Sequence, residues 1–246
     1  MKIDGAVAVV TGGAQGLGHA IALHLSEHGS KVVVVDRDQS AMTKLPDQIS
    51  YRCLDVTQPA DVKTVISEII NQFGQVGILV NNAGVIFSEP LVNIMNPENM
   101  MHDYQRFRES MMLNLDSIFI MTSAIVEKMV MSRTKGVIVN ISSICARGNE
   151  GQTAYSAAKA AVNAMTVTWS KELGKLGIRC NAVAPGFIGT ESTHRALNES
   201  TIKHIKEKTP LRRLGDAIDV ANAVLAVIEN DFINGAVLDV NGGLTI

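Results

Sequence analysis

The chain has 246 residues, of which 46% are hydrophobic, 19% charged and 4% aromatic, and 22 basic against 24 acidic side chains leave a formal net charge of −2. That length and apolar content suit one large α/β domain covering residues 1–246, and they exclude a disordered or fibrous chain. The weak charge argues against nucleic acid or an anionic membrane as partner. Cys53, Cys145 and Cys180 are widely spaced with no CxxC pair, which argues against a disulfide framework or a thiolate metal site, and no metal is expected. The N-terminal MKIDGAVAVVTGG reads directly into a strand instead of a secretory leader, so the expected compartment is the cytoplasm. No uninterrupted apolar run approaches the ~18 residues of a membrane span, and none is expected.

In chain order, short β-branched runs at Val7–Val10, Lys31–Val35, Ile49–Leu54, Ile78–Val80, Gly136–Ile141, Ile178–Ala184 and Ala236–Val240 read as seven strands. Their nearly continuous apolar character predicts parallel strands covered on both faces. Helical patterns lie between them. Leu17, Ala20, Ile21 and Leu25 form the first stripe, ended by Gly29, and others cover Val62–Phe73, Tyr104–Met131, Ala154–Leu176 and Asp216–Ile228. Strand–helix alternation without a break in composition predicts a doubly wound parallel sheet with helices on both faces and right-handed crossovers. Two stretches interrupt the rhythm: Phe87–Met101, a loop-like insertion, and residues 187–210, a helical segment between two prolines. Both are candidate substrate loops.

Chemistry-bearing residues gather at predicted strand ends. Thr11-Gly12-Gly13-Ala14-Gln15-Gly16-Leu17-Gly18 joins the first strand to the first helix, and glycines there let a backbone approach a pyrophosphate at a helix N-terminus. Asp36 ends the second strand, where a carboxylate can accept both ribose hydroxyls of NAD and repel the extra phosphate of NADP, although Arg37 beside it leaves some tolerance for NADP. Leu54-Asp55-Val56, Asn81-Asn82-Ala83-Gly84, Ile141-Ser142-Ser143 and Pro185-Gly186 occupy the same edge, where ligands of open α/β sheets bind. Tyr155 and Lys159 stand at i and i+4 on one helical face. A cation near a phenol, whose ordinary pKa is about 10, favours phenolate and makes the tyrosine an acid/base near neutrality.

TGGAQGLG, Asp36, NNAG, Asn114, Ser142-Ser143, YSAAK and PGFIGT, in this order, resemble the short-chain dehydrogenase/reductase family of the classical type, from Ala6 to the C-terminal VNGG. The resemblance implies a Rossmann-type fold, a nicotinamide cofactor and an Asn–Ser–Tyr–Lys tetrad. Tyr155 would exchange a proton with the substrate oxygen, Lys159 would lower its pKa and hold the nicotinamide ribose, a serine would bind that oxygen, and Asn114 would position a water. Strand register assigns the serine to Ser143, while the family's usual spacing back from Tyr155 gives Ser142. Implied cofactor contacts are Gly12, Gln15, Gly16, Leu17 and Gly18 at the pyrophosphate, Asp36 at the ribose, Asp55 and Val56 at adenine, and Asn82, Ala83 and Gly84 flanking it. Pro185, Ile188 and Thr190, with Tyr155 and Lys159, would meet the nicotinamide end. Gln15 stands where NADP-preferring relatives usually carry a basic residue, so NAD is the expected cofactor.

Thirty residues separate Gly84 from Asn114, and this insertion together with AVIENDFINGAVLDVNGG looks like the branch holding type 10 hydroxysteroid and 3-hydroxyacyl-CoA dehydrogenases. APGFIGT and Arg213–Gly215 look like 3-oxoacyl-carrier-protein reductases. The expected substrate is therefore an acyl thioester, with Lys203, Lys206, Lys208, Arg212 and Arg213 either meeting its phosphates or forming an ordinary solvated charge run. A dehydrogenase of another secondary alcohol (steroid, sugar or xenobiotic) and a silent nicotinamide-binding scaffold are the alternatives. Family habit implies a homotetramer, built on the two long helices and the last strand, with the apolar C-terminus LTI buried in it. Eight methionines between Met95 and Met131 read as helix or subunit packing, or as an adaptable wall for an acyl chain. His24 and His28 read as solvent-facing, and Cys145 as a small packing residue.

Overall fold

In the computed structural model, which describes residues 1–246, seven strands form one all-parallel sheet in the order β3-β2-β1-β4-β5-β6-β7. They are β1 (Val7–Thr11), β2 (Lys31–Asp36), β3 (Ser50–Cys53), β4 (Val76–Asn81), β5 (Gly136–Ile141), β6 (Ile178–Pro185) and β7 (Val237–Val240). The order reverses between β1 and β4, creating the crevice at which doubly wound sheets bind ligands. Nine α-helices accompany them: α1 (Gly16–Glu27), α2 (Gln39–Met42), α3 (Pro59–Phe73), α4 (Tyr104–Met111), α5 (Ser117–Met131), α6 (Thr153–Leu173), α7 (Glu191–Ala196), α8 (Glu199–Lys208) and α9 (Ala217–Glu229). This is a Rossmann-type α/β architecture.

Period-two alternation sends the two faces of each central strand into separate cores. Ala8, Val10, Val32, Val34, Ile78 and Val80 pack with Ile21 and Leu25 of α1 and Val220 and Val224 of α9. Val7, Val9, Val33, Val35, Leu79 and Ile138 pack with Val62 and Ile66 of α3 and Met121, Ile125 and Met129 of α5. Because both faces are covered, the strands contain almost no polar positions, which is why they read as continuous apolar runs. The outer strands depart from that expectation: β3 alternates half-buried with exposed, and β7 is largely exposed, each lying at an edge of the sheet with a neighbouring strand on one side only.

Other differences have local causes. The expected helix Tyr104–Met131 is continuous but changes winding at Met112–Asp116, a π-helical stretch centred on Asn114. This element is long and apolar enough by composition to cross a bilayer, contrary to the expectation from uninterrupted runs, because Ser and Thr interrupt its apolar residues without lowering its hydropathy much. In the fold, Ile118, Met121, Ile125 and Met129 bury its inner face against the sheet. The expected helix to Leu176 ends at Leu173 and tightens into a 3₁₀ turn, Gly174–Leu176, which Gly177 terminates at φ +76°. His24, expected at the surface, is buried where α1 meets α9; burial, with the nearby His28, lowers its pKa. His28 is exposed as expected. The methionines divide: Met121 and Met129 are core, whereas Met95, Met101 and Met131 are exposed. At the C-terminus, Leu244 is buried within the chain itself and Ile246 is exposed.

Candidate active site at the carboxyl edge of the sheet

Strands β1 and β4 are adjacent, and their carboxyl ends are hydrogen-bonded into one unit. The Thr11 hydroxyl accepts the backbone N–H groups of Asn82 and Ala83, each at 3.0 Å. The Asn82 amide donates back to the carbonyls of Gly12 (2.9 Å) and Thr11 (3.1 Å). Gly12 has φ +63°, and a Cβ on it would stand 2.8 Å from the Ala83 Cα; a Cβ on Gly18 would lie 2.2 Å from the Gly12 carbonyl oxygen. Close backbone approach therefore excludes side chains at both positions. Gly16 is exposed at φ +57° with open space around it, and Gln15 precedes α1 without capping it by its side chain. With no acidic side chain in the first turn of α1, its free N–H groups and positive dipole end face outward beside Leu17.

Asp36 closes the next part of the edge. One carboxylate oxygen accepts Ala14 N–H at 3.1 Å and the other Asp38 N–H at 3.0 Å, which fixes the carboxylate against the glycine turn and leaves lone pairs on both oxygens. A cavity of about 450 Å³ follows, lined by Arg37, Cys53, Leu54, Asp55, Asp61, Thr64 and Val65. Hydrogen bonds from the Thr57 side chain and backbone hold the Asp55 carboxyl below its ordinary range, and Val56 is buried beneath. Glycine turn, helix terminus, oriented carboxylate and adjoining cavity, in that order along the edge, fit the pyrophosphate, ribose and adenine of a nicotinamide dinucleotide. At the far end, Pro185 closes β6, Ile188 is buried and bridged to Gly215, and Thr190 caps α7 through Thr193 N–H.

The predicted tetrad residues converge beyond β4 and β5. Asn114 is fully buried in the π-helical stretch, and its amide donates to the Val85 carbonyl (2.8 Å) and accepts from the Val85 N–H (3.1 Å). It also donates to the Ser110 carbonyl at 2.9 Å. The side chain thus clamps the segment after Gly84 as a neighbouring strand would, and a Cβ on Gly84 would meet the Asn114 Oδ1 at 2.6 Å. The side-chain amide is thus committed to the chain's own backbone and does not present itself to a water.

The two serines separate. Ser142 donates to the Asn163 Oδ1 at 2.6 Å, away from the phenol. Ser143 faces Tyr155 and caps the turn Ile144–Arg147 by accepting Cys145 N–H at 3.1 Å. Lys159 points its ammonium at the Ile141 carbonyl (2.8 Å), with Nζ 5.6 Å from the centroid of the Tyr155 ring.

Tyr155 and Lys159 are both buried, and burial governs their electrostatics. It pushes the phenol up to about 12, opposed by the Ser143 hydroxyl and reinforced by Cys145, and pushes the ammonium down to about 8. The expected lowering of the phenol by Lys159 is therefore not what this arrangement displays. Each member is driven towards its neutral form, because the low-dielectric site penalises both charges. Tyr155 belongs to an apolar cluster with Ile144, Cys145, Leu214, Leu244 and Ile205 of α8, against which Phe187, Leu197 and Ile202 pack. The region between the two prolines thus contributes part of the apolar surroundings of Tyr155.

Some residues at this edge act in ways that their motifs do not announce. Thr11, first letter of TGGAQGLG, braces the glycine turn through its hydroxyl. Asn81 and Asn140 lie side by side in register, joined at 2.9 Å, and extend through Thr122 and Thr166 to form a polar row inside an apolar core. Asn81 opens the NNAG motif, whereas the signal of Asn140 was a lone asparagine near the end of an otherwise apolar strand.

Comparison with known proteins agrees with this geometry. A family model described as enoyl-(acyl carrier protein) reductase matches residues 12–245. The chain is 37% identical over 251 residues to the 3-oxoacyl-[acyl-carrier-protein] reductase FabG of Vibrio cholerae, covering 99% of each. It is 34% identical over 256 residues to that of Thermotoga maritima, covering 100% of each. A (3R)-3-hydroxyacyl-CoA dehydrogenase of Canis lupus familiaris is 34% identical over 254 residues, covering 99% of this chain and 98% of that one.

The buried ammonium predicts a measurable linkage. A lysine titrating near 8 in the folded chain and near its ordinary value when unfolded makes the unfolded state bind more protons between these values, so this group's contribution to stability rises with pH there. Replacing it with an isosteric apolar side chain, Lys159→Met, should raise the melting temperature at pH 7. The gap to the unmodified chain should narrow between about pH 8 and 10.5. Parallel thermal melts across that range check it; a gap independent of pH would contradict it.

Proposed function

The chain belongs to the short-chain dehydrogenase/reductase family, and we propose that it is an NAD(H)-dependent oxidoreductase interconverting 3-oxoacyl and 3-hydroxyacyl thioesters. The observation that carries the chemical reading is the convergence of Ser143 on a buried Tyr155 next to Lys159. Two hydroxyls aimed at one place suit a single oxygen that is a carbonyl in one substrate and an alcohol in the other. The named activities of the relatives support the thioester.

Nicotinamide supplies hydride when bound. The chain's own residues do the rest. Gly12, Gly16, Leu17, Gly18 and the start of α1 hold the pyrophosphate, with Gln15 beside them. Asp36 accepts from the ribose hydroxyls, Asp55 and Val56 border adenine, and Asn82, Ala83 and Gly84 form the wall between. Pro185, Ile188 and Thr190 flank the nicotinamide end, and Lys159 holds its ribose. Tyr155 donates its proton to the substrate oxygen during reduction and recovers it in oxidation. Ser143 donates a hydrogen bond to that oxygen as it gains negative charge. Burial keeps the phenol protonated, which is the form that donates when the carbonyl arrives. Asn114 fixes the segment after β4, and its backbone carbonyl is the site for a relay water.

Asp36, with Gln15 in place of a basic residue, supports NAD over NADP, and the three free cysteines support a reducing compartment, the cytoplasm. The exposed edge of β7 and the apolar outer side of α5, with Phe119, Val130 and Met131, support assembly into a homotetramer.

Turnover of acetoacetyl-CoA and longer 3-oxoacyl-CoAs with NADH, compared with steroids, small ketones and crotonoyl-CoA, tests the proposal. Preference for a steroid or simple ketone would favour the alternative secondary-alcohol reading, and reduction of crotonoyl-CoA would favour the enoyl chemistry in the family description. Tyr155→Phe should lower kcat about 10²-fold or more while NADH affinity, by fluorescence titration, stays within about threefold. Ser143→Ala should lower kcat by a comparable factor. Ser142→Ala, which leaves the Asn163 amide unpartnered, should instead lower the melting temperature and spare kcat. Asp36→Ala should weaken NAD binding about tenfold or more and NADP binding far less; equal losses would refute the assigned cofactor preference.

A further inference from the structure

The segment Phe87–Met101 is a built flap. Val92 and Met101 pair as antiparallel neighbours, Asn93 N–H donates to the Met100 carbonyl at 2.7 Å, and His102 N–H to the Leu91 carbonyl at 3.1 Å. Its base is tied on both sides. Glu89 pairs in parallel with Gln152, donating its N–H to the Gly151 carbonyl at 2.7 Å, and the Gln152 amide donates to the Ser88 hydroxyl at 3.2 Å. On the other side the Glu89 carboxylate accepts Asp103 N–H at 3.2 Å and pairs with Arg106 of α4 at 3.8 Å. The flap is thereby anchored to the turn that leads directly into Tyr155.

Beyond this polar base the flap is apolar and open. Leu91, Ile94, Met95 and Met101 are 69, 77, 86 and 76% exposed. Unbranched thioethers beside Leu and Ile make a wall that repacks around ligands of differing length. The segment carries Glu89 and Glu98 and no Lys or Arg, so neither an anionic bilayer nor the phosphates of a coenzyme are drawn to it. The basic side chains Lys203, Lys206 and Lys208 lie instead on α8, together with Glu199 and Glu207, and Ile205 of that helix belongs to the apolar cluster that includes Tyr155. The flap, tied to the turn before Tyr155, thus offers an apolar surface and α8 three lysines, and a fatty acyl thioester of coenzyme A carries the matching apolar and polyanionic ends.

We propose that the flap Leu91–Met101 is the acyl-chain subsite, closing over the tail of a medium- or long-chain thioester and setting chain-length preference. The inference rests on the thioester reading of the active site and deepens it. A four-carbon acyl group ends close to Tyr155 and does not need the flap, whereas a twelve-carbon tail must cover its apolar carbons somewhere on the surface, and burial of each added methylene favours binding.

The test uses the full chain with NADH and two unreactive thioesters, butanoyl-CoA and dodecanoyl-CoA. By calorimetry the unmodified chain should bind dodecanoyl-CoA about tenfold or more tightly than butanoyl-CoA. The variant Leu91→Ser/Ile94→Ser/Met95→Ser/Met101→Ser, altered only at exposed positions, should lose that preference while its butanoyl-CoA affinity stays within about twofold. Independently of any variant, amide hydrogen exchange across residues 91–102 should slow with dodecanoyl-CoA and not with butanoyl-CoA. Equal affinity of the unmodified chain for both ligands overturns the proposal, as does a preference retained in the variant. It is overturned too by a smaller oligomer in the variant, which would make the flap a contact between copies. Neither readout needs turnover. A chain that reduces no thioester yet shows tail-dependent protection of the flap therefore overturns the catalytic reading and supports this one.

Discussion

The hydrogen bonds between Thr11 and the Asn82–Ala83 backbone, returned by the Asn82 amide to Gly12, are the constraint on which the working edge depends. In a parallel sheet, each strand ends with backbone groups that no hairpin can satisfy, and where the strand order reverses the two departing chains diverge. Here a threonine hydroxyl and an asparagine amide replace the missing ladder. They hold the glycine turn in a tightly packed conformation that Gly12 and Gly18 alone make possible. From that fixed point Asp36 is oriented through Ala14, and the segment after β4 is delivered to Asn114, whose amide repeats the device one step further along.

The same economy of backbone capture explains the pair at the centre of the site. Lys159 is buried with the Ile141 carbonyl as its hydrogen-bond partner, an arrangement that destabilises the fold while the ammonium is charged. That carbonyl is the last of β5, directly before the two serines. Holding the lysine there fixes one face of α6, and Tyr155, a turn earlier on that face, is fixed with it. Position and electrostatics are therefore set by one contact. The fold tolerates it because the strands on either side are buried on both faces.

What was legible in the sequence follows from where physics acts locally. Continuous β-branched runs exposed all seven strands, and glycines with an acidic residue at a strand end marked the candidate cofactor edge, because both depend on residue type at short range. The serine register was open for the opposite reason: Ser142 and Ser143 are alike in sequence, and only the neighbouring α6, which offers Asn163 to one and Tyr155 to the other, separates them. The π-helical winding at Asn114 was invisible because it answers to the distant Val85 backbone. The phenol's high pKa was missed because an i, i+4 spacing conveys proximity but not burial, and burial decides the sign. The exposure of β3 and β7 likewise depends on their place at the two edges of the sheet, which residue type alone does not reveal.

A weakly charged chain acting on a polyanionic substrate must recognise it locally, and the active site is flanked by elements of contrasting character. Leu197 and the α8 residues Ile202 and Ile205 contribute to the apolar cluster that holds Tyr155, while α8 presents Lys203, Lys206 and Lys208 to solvent. The flap ahead of α4 is apolar where it is exposed and polar where it is anchored. Burial of the phenol in the apolar cluster raises its pKa, and in such a low-dielectric setting a hydrogen bond from Ser143 is worth more than in water. Ile205 and Ile144 belong to that cluster and Phe187 packs against it, so a ligand that brings its oxygen to the phenol lies beside apolar surface. On the thioester reading, an acyl tail extends that apolar contact, whereas a small polar ketone does not.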